Sequence, residues 1–262
     1  MSFSAKDVMA LRQKTGLGML DCKKALTEND GDLNAAEEWL REKLKGKMET
    51  RTERATGEGR IGILISGDDA VMVEIQTETD FTAKNDAFVA MVEAVTALAM
   101  KAPPGDVACT PDMQKAIDDQ RITTGENVNF ARGLRLHGGH FGSYLHHDGK
   151  RSCLLQVSGR APDDVLKGIC QHIVFHDPAG ISEDDVPADK IETIRAEAVE
   201  EAKATGKPEQ IAQRMAEGRV RKYLEENTLL HQKYVLDESQ AIKDVLPKGV
   251  TITRFARYTL GA

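Results

Sequence analysis

The spacing of the apolar residues changes near residue 60, and this change constrains the fold more than any other feature. Over residues 4–45 the apolar residues recur every three or four positions, as in short amphipathic helices. Between 61 and 75 they alternate with other residues, which is typical of strands with one buried face. The sequence therefore predicts three helices and then a β-hairpin that turns at 66–69. The stripe of the third helix consists of Leu33, Ala36, Leu40 and Leu44, and the alternating positions are Ile61, Ile63, Ile65, Val71, Val73 and Ile75.

A hairpin followed by a helix occurs twice along the chain. The first hairpin precedes an apolar stripe at about 86–101, and a second hairpin at 141–157 precedes another stripe at 163–176. Two similar halves are typical of an internal duplication. We therefore predict an α+β fold in which antiparallel strands and helices form a duplicated core.

These patterns divide the chain into segments. Residues 1–45 are predicted to form the three-helix unit, and 46–58 a polar, charged linker. The core is predicted to consist of an N-subdomain, 59–135, and a C-subdomain, 136–182 and 227–262.

Residues 183–226 carry narrow apolar stripes with charged flanks, which predict a projecting antiparallel helical hairpin. The stripes are Ile191, Ile194 and Ala198 in the first helix, and Ile211, Met215 and Val220 or Tyr223 in the second.

Composition argues against several classes of protein. The net charge of −7 is the opposite of what phosphate binding favours, so we do not expect a direct nucleic-acid partner. The cysteines (Cys22, Cys109, Cys153 and Cys170) lie far apart and form no C-x-x-C pair, which is typical of reduced thiols. No apolar run approaches the ~20 residues that span a bilayer, and residues 1–7 contain no apolar signal segment. We therefore expect a cytoplasmic protein.

The sequence contains no strong catalytic or metal-binding motif. Residues 57–62 match G-x-G-x-x-G, but this match precedes a predicted strand, whereas a dinucleotide-binding loop follows one. His172 and His176 have a metal-compatible spacing, but the Glu that a zincin motif needs beside the first His is replaced by Ile173. A cluster of His137, His140, His146 and His147 lacks a carboxylate or thiolate at a recognisable spacing. We therefore predict no catalytic residue, no bound metal and no cofactor, and favour a binding protein.

Two motifs carry a resemblance to a known family. These are Leu11-Arg12-Gln13-Lys14-Thr15-Gly16-Leu17-Gly18-Met19-Leu20-Asp21-Cys22-Lys23-Lys24-Ala25-Leu26 and Thr79-Asp80-Phe81-Thr82-Ala83-Lys84-Asn85. Their order and separation resemble those of the elongation factor Ts family. Weaker matches at 124–127, 143–146, 206–212 and 215–219 extend the resemblance over nearly the whole chain.

The resemblance implies a nucleotide-exchange factor for elongation factor Tu. Such a factor binds elongation factor Tu in its GDP form and displaces Mg²⁺, so that GDP leaves and GTP can enter. The three-helix unit then corresponds to a ubiquitin-associated-like domain that docks on the partner. The positions that match the family's region beside the partner's Mg²⁺ and nucleotide are Asp80, Phe81, Thr82 and Ala83. Those that match other partner contacts are Arg12, Met19, Lys23, Gly125, His146, Val235 and Leu236.

The sequence leaves several alternatives open. Phe81 follows a strand and precedes a helix, so from the residues alone it could be an ordinary core aromatic. The three-helix unit could belong to an adaptor with a different partner, and a metal enzyme could use His146, His147, His172 or His176. The 183–226 hairpin could pair two copies of the chain or contact the partner.

Overall fold

A computed structural model describes residues 3–49 and 53–262 of the chain. The fold divides into two compact units. The first contains Met1–Leu136, His147–Lys150 and Thr259–Ala262, and the second contains His137–His146 and Arg151–Tyr258. In the described part of the chain, helices and antiparallel strand pairs occur together, which confirms the predicted α+β class.

The first unit begins with three helices and continues into a sheet with further helices. In chain order its elements are α1 (Ala5–Thr15), α2 (Met19–Glu28), α3 (Leu33–Glu49), β1 (Glu58–Ser66), β2 (Asp69–Thr77), α4 (Asp80–Ala83), α5 (Asp86–Ala99), β3 (Gly105–Asp106), α6 (Pro111–Thr124) and β4 (Val128–His137). The second unit contains β5 (His140–Leu145), β6 (Arg151–Ser158), α7 (Asp163–His176), α8 (Ala188–Ala204), α9 (Glu209–Asn227), β7 (Lys233–Tyr234), β8 (Asp237–Ala241), α10 (Ile242–Val245) and β9 (Thr251–Thr259).

The three N-terminal helices pack around a small core of their own, as predicted. Ser4 and Asp7 form a capping box at the start of α1, and Gly16 ends this helix in the left-handed conformation. The buried residues of this core are Val8, Leu11, Leu17, Cys22, Ala25, Leu26, Ala36 and Leu40. The third helix continues to Glu49, beyond the start of the predicted linker, and residues 50–52 of that linker lie outside the described residues. The division of the chain into domains stays a prediction.

The first hairpin joins a four-stranded sheet with the strand order β1-β2-β4-β3. Ser66 pairs with Asp69, so the chain turns at Gly67 and Asp68, as predicted. The prediction of a single buried face is wrong for β2, in which Glu74 is also buried. Its carboxylate accepts hydrogen bonds from Arg132 (2.8 Å) and from the Gly261 amide (2.9 Å). The buried residues of β2 include Ala70, Val71, Met72, Val73, Glu74 and Ile75.

The second unit repeats the order of hairpin and helix. Its three-stranded sheet has the order β5-β6-β9, and α7 packs on β5 and β6. In both hairpins a glycine on the first strand lies under the following helix. A methyl group on Gly62 would overlap Thr96 of α5, and one on Gly142 would come within 2.5 Å of Leu166 of α7. The shared close approach of helix and strand supports the predicted duplication.

The helices α8 and α9 form an antiparallel pair, but their contact differs from the predicted stripe. Ile211 and Met215 are about half-exposed, so their predicted place in the seam is wrong. Ala198 and Val220 of the predicted stripes are buried, and the other buried residues of the two helices are Ala202, Ala212 and Ala216. Small side chains let the two backbones approach closely, and the larger apolar residues next to them in sequence are left on the outside. Ion pairs flank the seam, including Arg195–Glu217 (2.8 Å) and Lys203–Glu209 (2.9 Å).

Two sequence features can be compared with the structure, a glycine motif and the lack of long apolar runs. The G-x-G-x-x-G match at 57–62 runs into strand β1 and precedes no helix, so it lacks the context of a dinucleotide-binding loop. Among the described residues, no helix is long and apolar enough to cross a membrane.

The core of the second unit contains a buried histidine, His172 on α7. Burial lowers its pKa to about 4, although a hydrogen bond with Gln232 opposes this shift, and the neighbouring His176 lowers the pKa further. Tyr234 also faces the ring, at 6.3 Å between centroids. The native protein therefore holds this imidazole in its neutral form at pH values where an exposed histidine takes up a proton.

We expect the free energy of unfolding to fall as pH decreases from about 6.5 to about 4. In this window the unfolded chain binds a proton at His172 and the native chain does not. This difference lowers the free energy of unfolding by on the order of 2–3 kcal/mol. Urea titrations between pH 7 and pH 4 measure the effect. His172→Gln should show a shallower dependence than the wild type, and parallel curves would contradict the assignment.

Candidate functional site

The chain passes from strand β2 to helix α5 through a single helical turn, α4. Thr79 caps this turn, since its hydroxyl accepts a hydrogen bond from the Thr82 amide (3.3 Å). Asn85 then caps α5, because its side-chain oxygen accepts a hydrogen bond from the Ala87 amide (2.8 Å). Two caps within seven residues fix the path of the chain on both sides of the turn.

The four predicted residues of this turn divide into two pairs. Thr82 and Ala83 are buried, and they anchor the turn against the body of the first unit. Phe81 is 84% exposed, and the Asp80 side chain is partly exposed. The alternative that Phe81 is an ordinary core aromatic is therefore wrong. The turn thus exposes a large apolar ring to solvent, while the next two residues, Thr82 and Ala83, are buried.

A carboxylate lies beside the exposed ring. Lys84, one turn along the chain, donates a hydrogen bond to the Asp80 carboxylate at 2.6 Å. This bond lowers the pKa of Asp80, so the side chain is ionised at neutral pH. The site therefore combines an apolar ring with a paired negative charge.

The Glu126 carboxylate holds the turn from a different part of the sequence. It accepts hydrogen bonds from the Thr79 amide (3.1 Å), the Thr79 hydroxyl (2.7 Å) and the Thr77 hydroxyl (2.9 Å). The next amide, that of Asn127, donates to the Glu78 carboxylate at 2.6 Å. The segment after α6 is thus bonded to the segment between β2 and α4, and the capping residue Thr79 is fixed by Glu126.

The charge of Glu126 is part of this arrangement. Burial alone would raise its pKa, but the hydrogen bonds from Thr79, Thr82 and Thr77 together lower the pKa below its ordinary value. The ionised Glu126 carboxylate therefore stabilises the native protein at pH values above the pKa of an exposed glutamate. This stabilisation is lost as pH falls through the lower native pKa.

Gly125 ends helix α6 and turns the chain toward this network. Its φ of 71° lies in the left-handed region that favours glycine, and its amide donates a hydrogen bond to the Arg121 carbonyl. The preceding Thr124 donates its hydroxyl hydrogen to the Gln120 carbonyl and accepts a hydrogen bond from the Glu126 amide. Gly125 is therefore one residue away from the carboxylate that holds Thr79.

The N-terminal helices expose the predicted positions Arg12, Met19 and Lys23. Met19 and Lys23 are four residues apart on α2 and share a face. Met19 shares a helical spacing with Cys22 and Leu26, but unlike these two buried residues it is 52% exposed, at the first position of α2.

The predicted positions of the second unit lie at the ends of two hairpins. His146 directly follows β5, and its Nδ1 shares a 2.8 Å hydrogen bond with the Tyr144 hydroxyl. Val235 and Leu236 form the turn between β7 and β8, where Leu236 is 62% exposed. The turn thus presents an apolar side chain, as α4 does in the first unit.

The histidines do not support a metal site. Both ring nitrogens of His172 are engaged, because Nε2 is bonded to Gln232 (2.9 Å) and Nδ1 accepts from the Val235 amide (3.2 Å). No lone pair of this ring is left for a metal. In the described part of the chain, no group of three or more His, Cys, Asp and Glu side chains is arranged to hold a metal ion.

Comparison with known proteins identifies the family. Residues 78–262 match the sequence model described as elongation factor TS, and residues 1–47 match that described as elongation factor Ts, mitochondrial, N-terminal. The chain belongs to the elongation factor Ts family. It is therefore one of the translation elongation factors.

Individual relatives cover almost the whole chain. Elongation factor Ts of Halorhodospira halophila is 37% identical, over 100% of this chain and 93% of the relative. The protein of the same name from Thiobacillus denitrificans is 39% identical, over 98% and 92%. That of Clavibacter michiganensis is 36% identical, over 100% and 99%.

Sequence reasoning missed two residues of this elongation factor Ts family member. Leu20 is 83% exposed beside Met19, and its position outside the stripe of Cys22 and Leu26 could have indicated this. Glu126 lies 47 residues from Thr79, and no local pattern indicates that its carboxylate meets the capping hydroxyl.

We expect Glu126→Ala to loosen the turn that carries Phe81. The change removes the acceptor of three hydrogen bonds and leaves Thr77 and Thr79 donors without it, which costs roughly 1–3 kcal/mol. Hydrogen exchange should show faster exchange of the Thr82 and Ala83 amides. Glu93→Ala removes an exposed glutamate of α5 and serves as the control. Equal exchange in both variants would count against the role of Glu126.

Proposed function

We propose that the chain is a guanine nucleotide exchange factor. It binds elongation factor Tu in its GDP form, displaces the Mg²⁺ ion of that protein and promotes release of GDP, so that GTP can bind. Family membership supports this proposal. The observation that carries it is Phe81, a large apolar side chain that is 84% exposed on a turn fixed from both sides.

The energetics favour action of Phe81 on another protein. An exposed ring adds little to the stability of its own fold, whereas burial in a partner is worth about 2 kcal/mol. The cap of Thr79 and the carboxylate of Glu126 already order the turn. Insertion of Phe81 therefore costs little additional conformational entropy, and most of the burial energy remains for changing the partner.

The partner's metal and nucleotide provide the mechanism. A guanine nucleotide is held largely through its phosphates, by Mg²⁺ and by backbone amides of a P-loop. A ring wedged between partner helices stabilises a conformation in which the ligands of Mg²⁺ are misplaced, and GDP then binds more weakly. By linkage, GDP weakens binding of the factor by the same ratio. No covalent bond is made or broken, so the proposal assigns this chain no catalytic residue, no cofactor and no enzymatic activity.

The remaining predicted positions are proposed to supply affinity. Arg12, Met19 and Lys23, together with the exposed Leu20, dock the N-terminal helices on elongation factor Tu. Gly125, His146, Val235 and Leu236 add contacts from the two units. Thr82 and Ala83 support the turn from within, because their side chains are buried. The partner is a cytoplasmic protein, so we propose the same compartment for this chain, with no direct contact to nucleic acid or membrane.

One alternative rests on the exposed apolar residues of the N-terminal helices. Met9, Met19 and Leu20 are all more than half-exposed, and such a surface also suits a ubiquitin-associated-like adaptor with a different partner. A homodimer through Ile211 and Met215 of α9 is a separate hypothesis about assembly. An adaptor would leave the rate of GDP release from elongation factor Tu unchanged.

We expect Phe81→Ala to lose most of the acceleration of GDP release. Removing a side chain that gains about 2 kcal/mol should slow exchange by about 30-fold. Release of a fluorescent GDP analogue from elongation factor Tu, followed by stopped flow at saturating factor, measures the effect. Thermal unfolding of the variant should match the wild type, because the ring makes little contact with its own fold.

Phe175→Ala is the matched control. Phe175 is also strongly exposed (73%), and its replacement makes the same chemical change in the second unit. This variant should keep the wild-type rate. Equal rates for the wild type and Phe81→Ala would falsify the proposed role of the ring.

A further inference from the structure

The turn that presents Leu236 does not consist of the residue types that such turns favour. Tyr234 pairs with Asp237, so the loop of this hairpin consists of Val235 and Leu236 alone. Two-residue hairpin loops favour turns with positive φ, which glycine, asparagine or aspartate provide. In the described chain the non-glycine residues with positive φ are Asp30 and Asp177, so both loop residues have negative φ. The loop's own sequence therefore does not specify its conformation.

A histidine of helix α7 accepts a hydrogen bond from the backbone of the loop. The Val235 amide donates to His172 Nδ1 at 3.2 Å. A backbone amide can only donate, so Nδ1 carries no proton and the ring proton lies on Nε2. Nε2 then donates to the Gln232 side-chain oxygen at 2.9 Å, and the Gln232 amide group donates to the Glu226 carbonyl at 2.8 Å. The buried imidazole thus connects the loop to α7 and to the end of α9.

Gly168, one turn before His172 on the same face of α7, provides the space. A methyl group at this position would overlap the Tyr234 hydroxyl and come within 3.2 Å of Leu236 Cδ1. Glycine inside a helix costs about 1 kcal/mol relative to alanine, so close packing of Tyr234 and Leu236 is the physical reason for it here. Gly168 and His172 together form a seat under the loop, which we call the α7 seat.

We propose that the α7 seat positions Leu236 for binding to elongation factor Tu, and that His172 is its positioning residue. This inference rests on the proposed function, in which Val235 and Leu236 contact the partner. A loop held in one conformation loses less entropy on binding, so its exposed apolar side chain contributes more affinity. His172 itself is buried and touches the partner only through the loop.

Two isosteric substitutions separate the two hydrogen bonds of the ring. In His172→Asn, the side-chain oxygen takes the place of Nδ1 and can accept from the Val235 amide. In His172→Gln, the amide group reaches the place of Nε2 and can donate to Gln232, but the Val235 amide loses its acceptor. The seat predicts that His172→Gln weakens binding to nucleotide-free elongation factor Tu about tenfold, whereas His172→Asn stays within about threefold of the wild type, as measured by calorimetry. Equal losses in both variants would overturn the inference.

A double-mutant cycle with Leu236→Ala distinguishes positioning from general stability. If His172 acts through Leu236, then His172→Gln should cost little further affinity in the Leu236→Ala background. A purely structural histidine would cost the same in both backgrounds. Gly168→Ala provides a second perturbation of the seat if His172→Gln does not fold, and it should also weaken binding less in the Leu236→Ala background.

The kinetics separate this inference from the proposed function. Seat variants should raise the factor concentration needed for half-maximal GDP release and leave the maximal rate unchanged, because Phe81 is intact. If the wild-type chain failed to accelerate release, the proposed function would be wrong. Exchange of the Val235 amide would still test the seat, with faster exchange expected in His172→Gln and near wild-type exchange in His172→Asn. Wild-type exchange in both would overturn it.

Discussion

The hydrogen bonds between Glu126 and Thr79 are the interaction on which the candidate site depends. They join the end of α6 to the cap of α4, two segments that the sequence separates by 47 residues. Without them, Phe81 would sit on a four-residue helix, which is too short to be stable alone. With them, an exposed ring is carried on an ordered base. The fold of the first unit thus holds an exposed apolar ring in a defined place.

A hydrogen bond to a distant residue also orders the loop that carries the exposed Leu236. Leu236 lies on a loop whose residues do not favour its conformation, and the imidazole of His172 satisfies the Val235 amide from below. In both places a polar side chain that is distant in sequence, the partly buried Glu126 or the buried His172, orders a short loop, and the loop presents one apolar side chain. The two units therefore share this way of ordering a short loop, in addition to their order of hairpin and helix.

Periodicity predicted the elements well, because it depends on neighbouring residues. The alternation of Ile61, Ile63 and Ile65 located the first hairpin, and the stripe at 163–176 gave the bounds of α7.

The prediction failed in α9, where two residue pairs with the same spacing could each form the contact with α8. In α9 the pairs Ile211–Met215 and Ala212–Ala216 both recur every four residues, and hydrophobicity favours the larger pair. Close approach to Ala198 and Ala202 selects the smaller pair, and the sequence of α9 alone does not contain that information. The exposure of Phe81 and the partners of His172 likewise depend on distant residues. The family resemblance indicated a role for Phe81, whereas only the structure shows the contacts of His172.

In the proposed mechanism, the turn carrying Phe81 acts on the metal site of elongation factor Tu. The most direct test is the Mg²⁺ dependence of GDP release from elongation factor Tu, measured with and without the wild-type chain. If the factor acts by displacing Mg²⁺, its acceleration should be large in excess Mg²⁺ and much smaller in EDTA, where the ion is already gone. Phe81→Ala should show little acceleration in either condition. The same fold-acceleration by the wild type with and without Mg²⁺ would show that the factor does not act by displacing the ion.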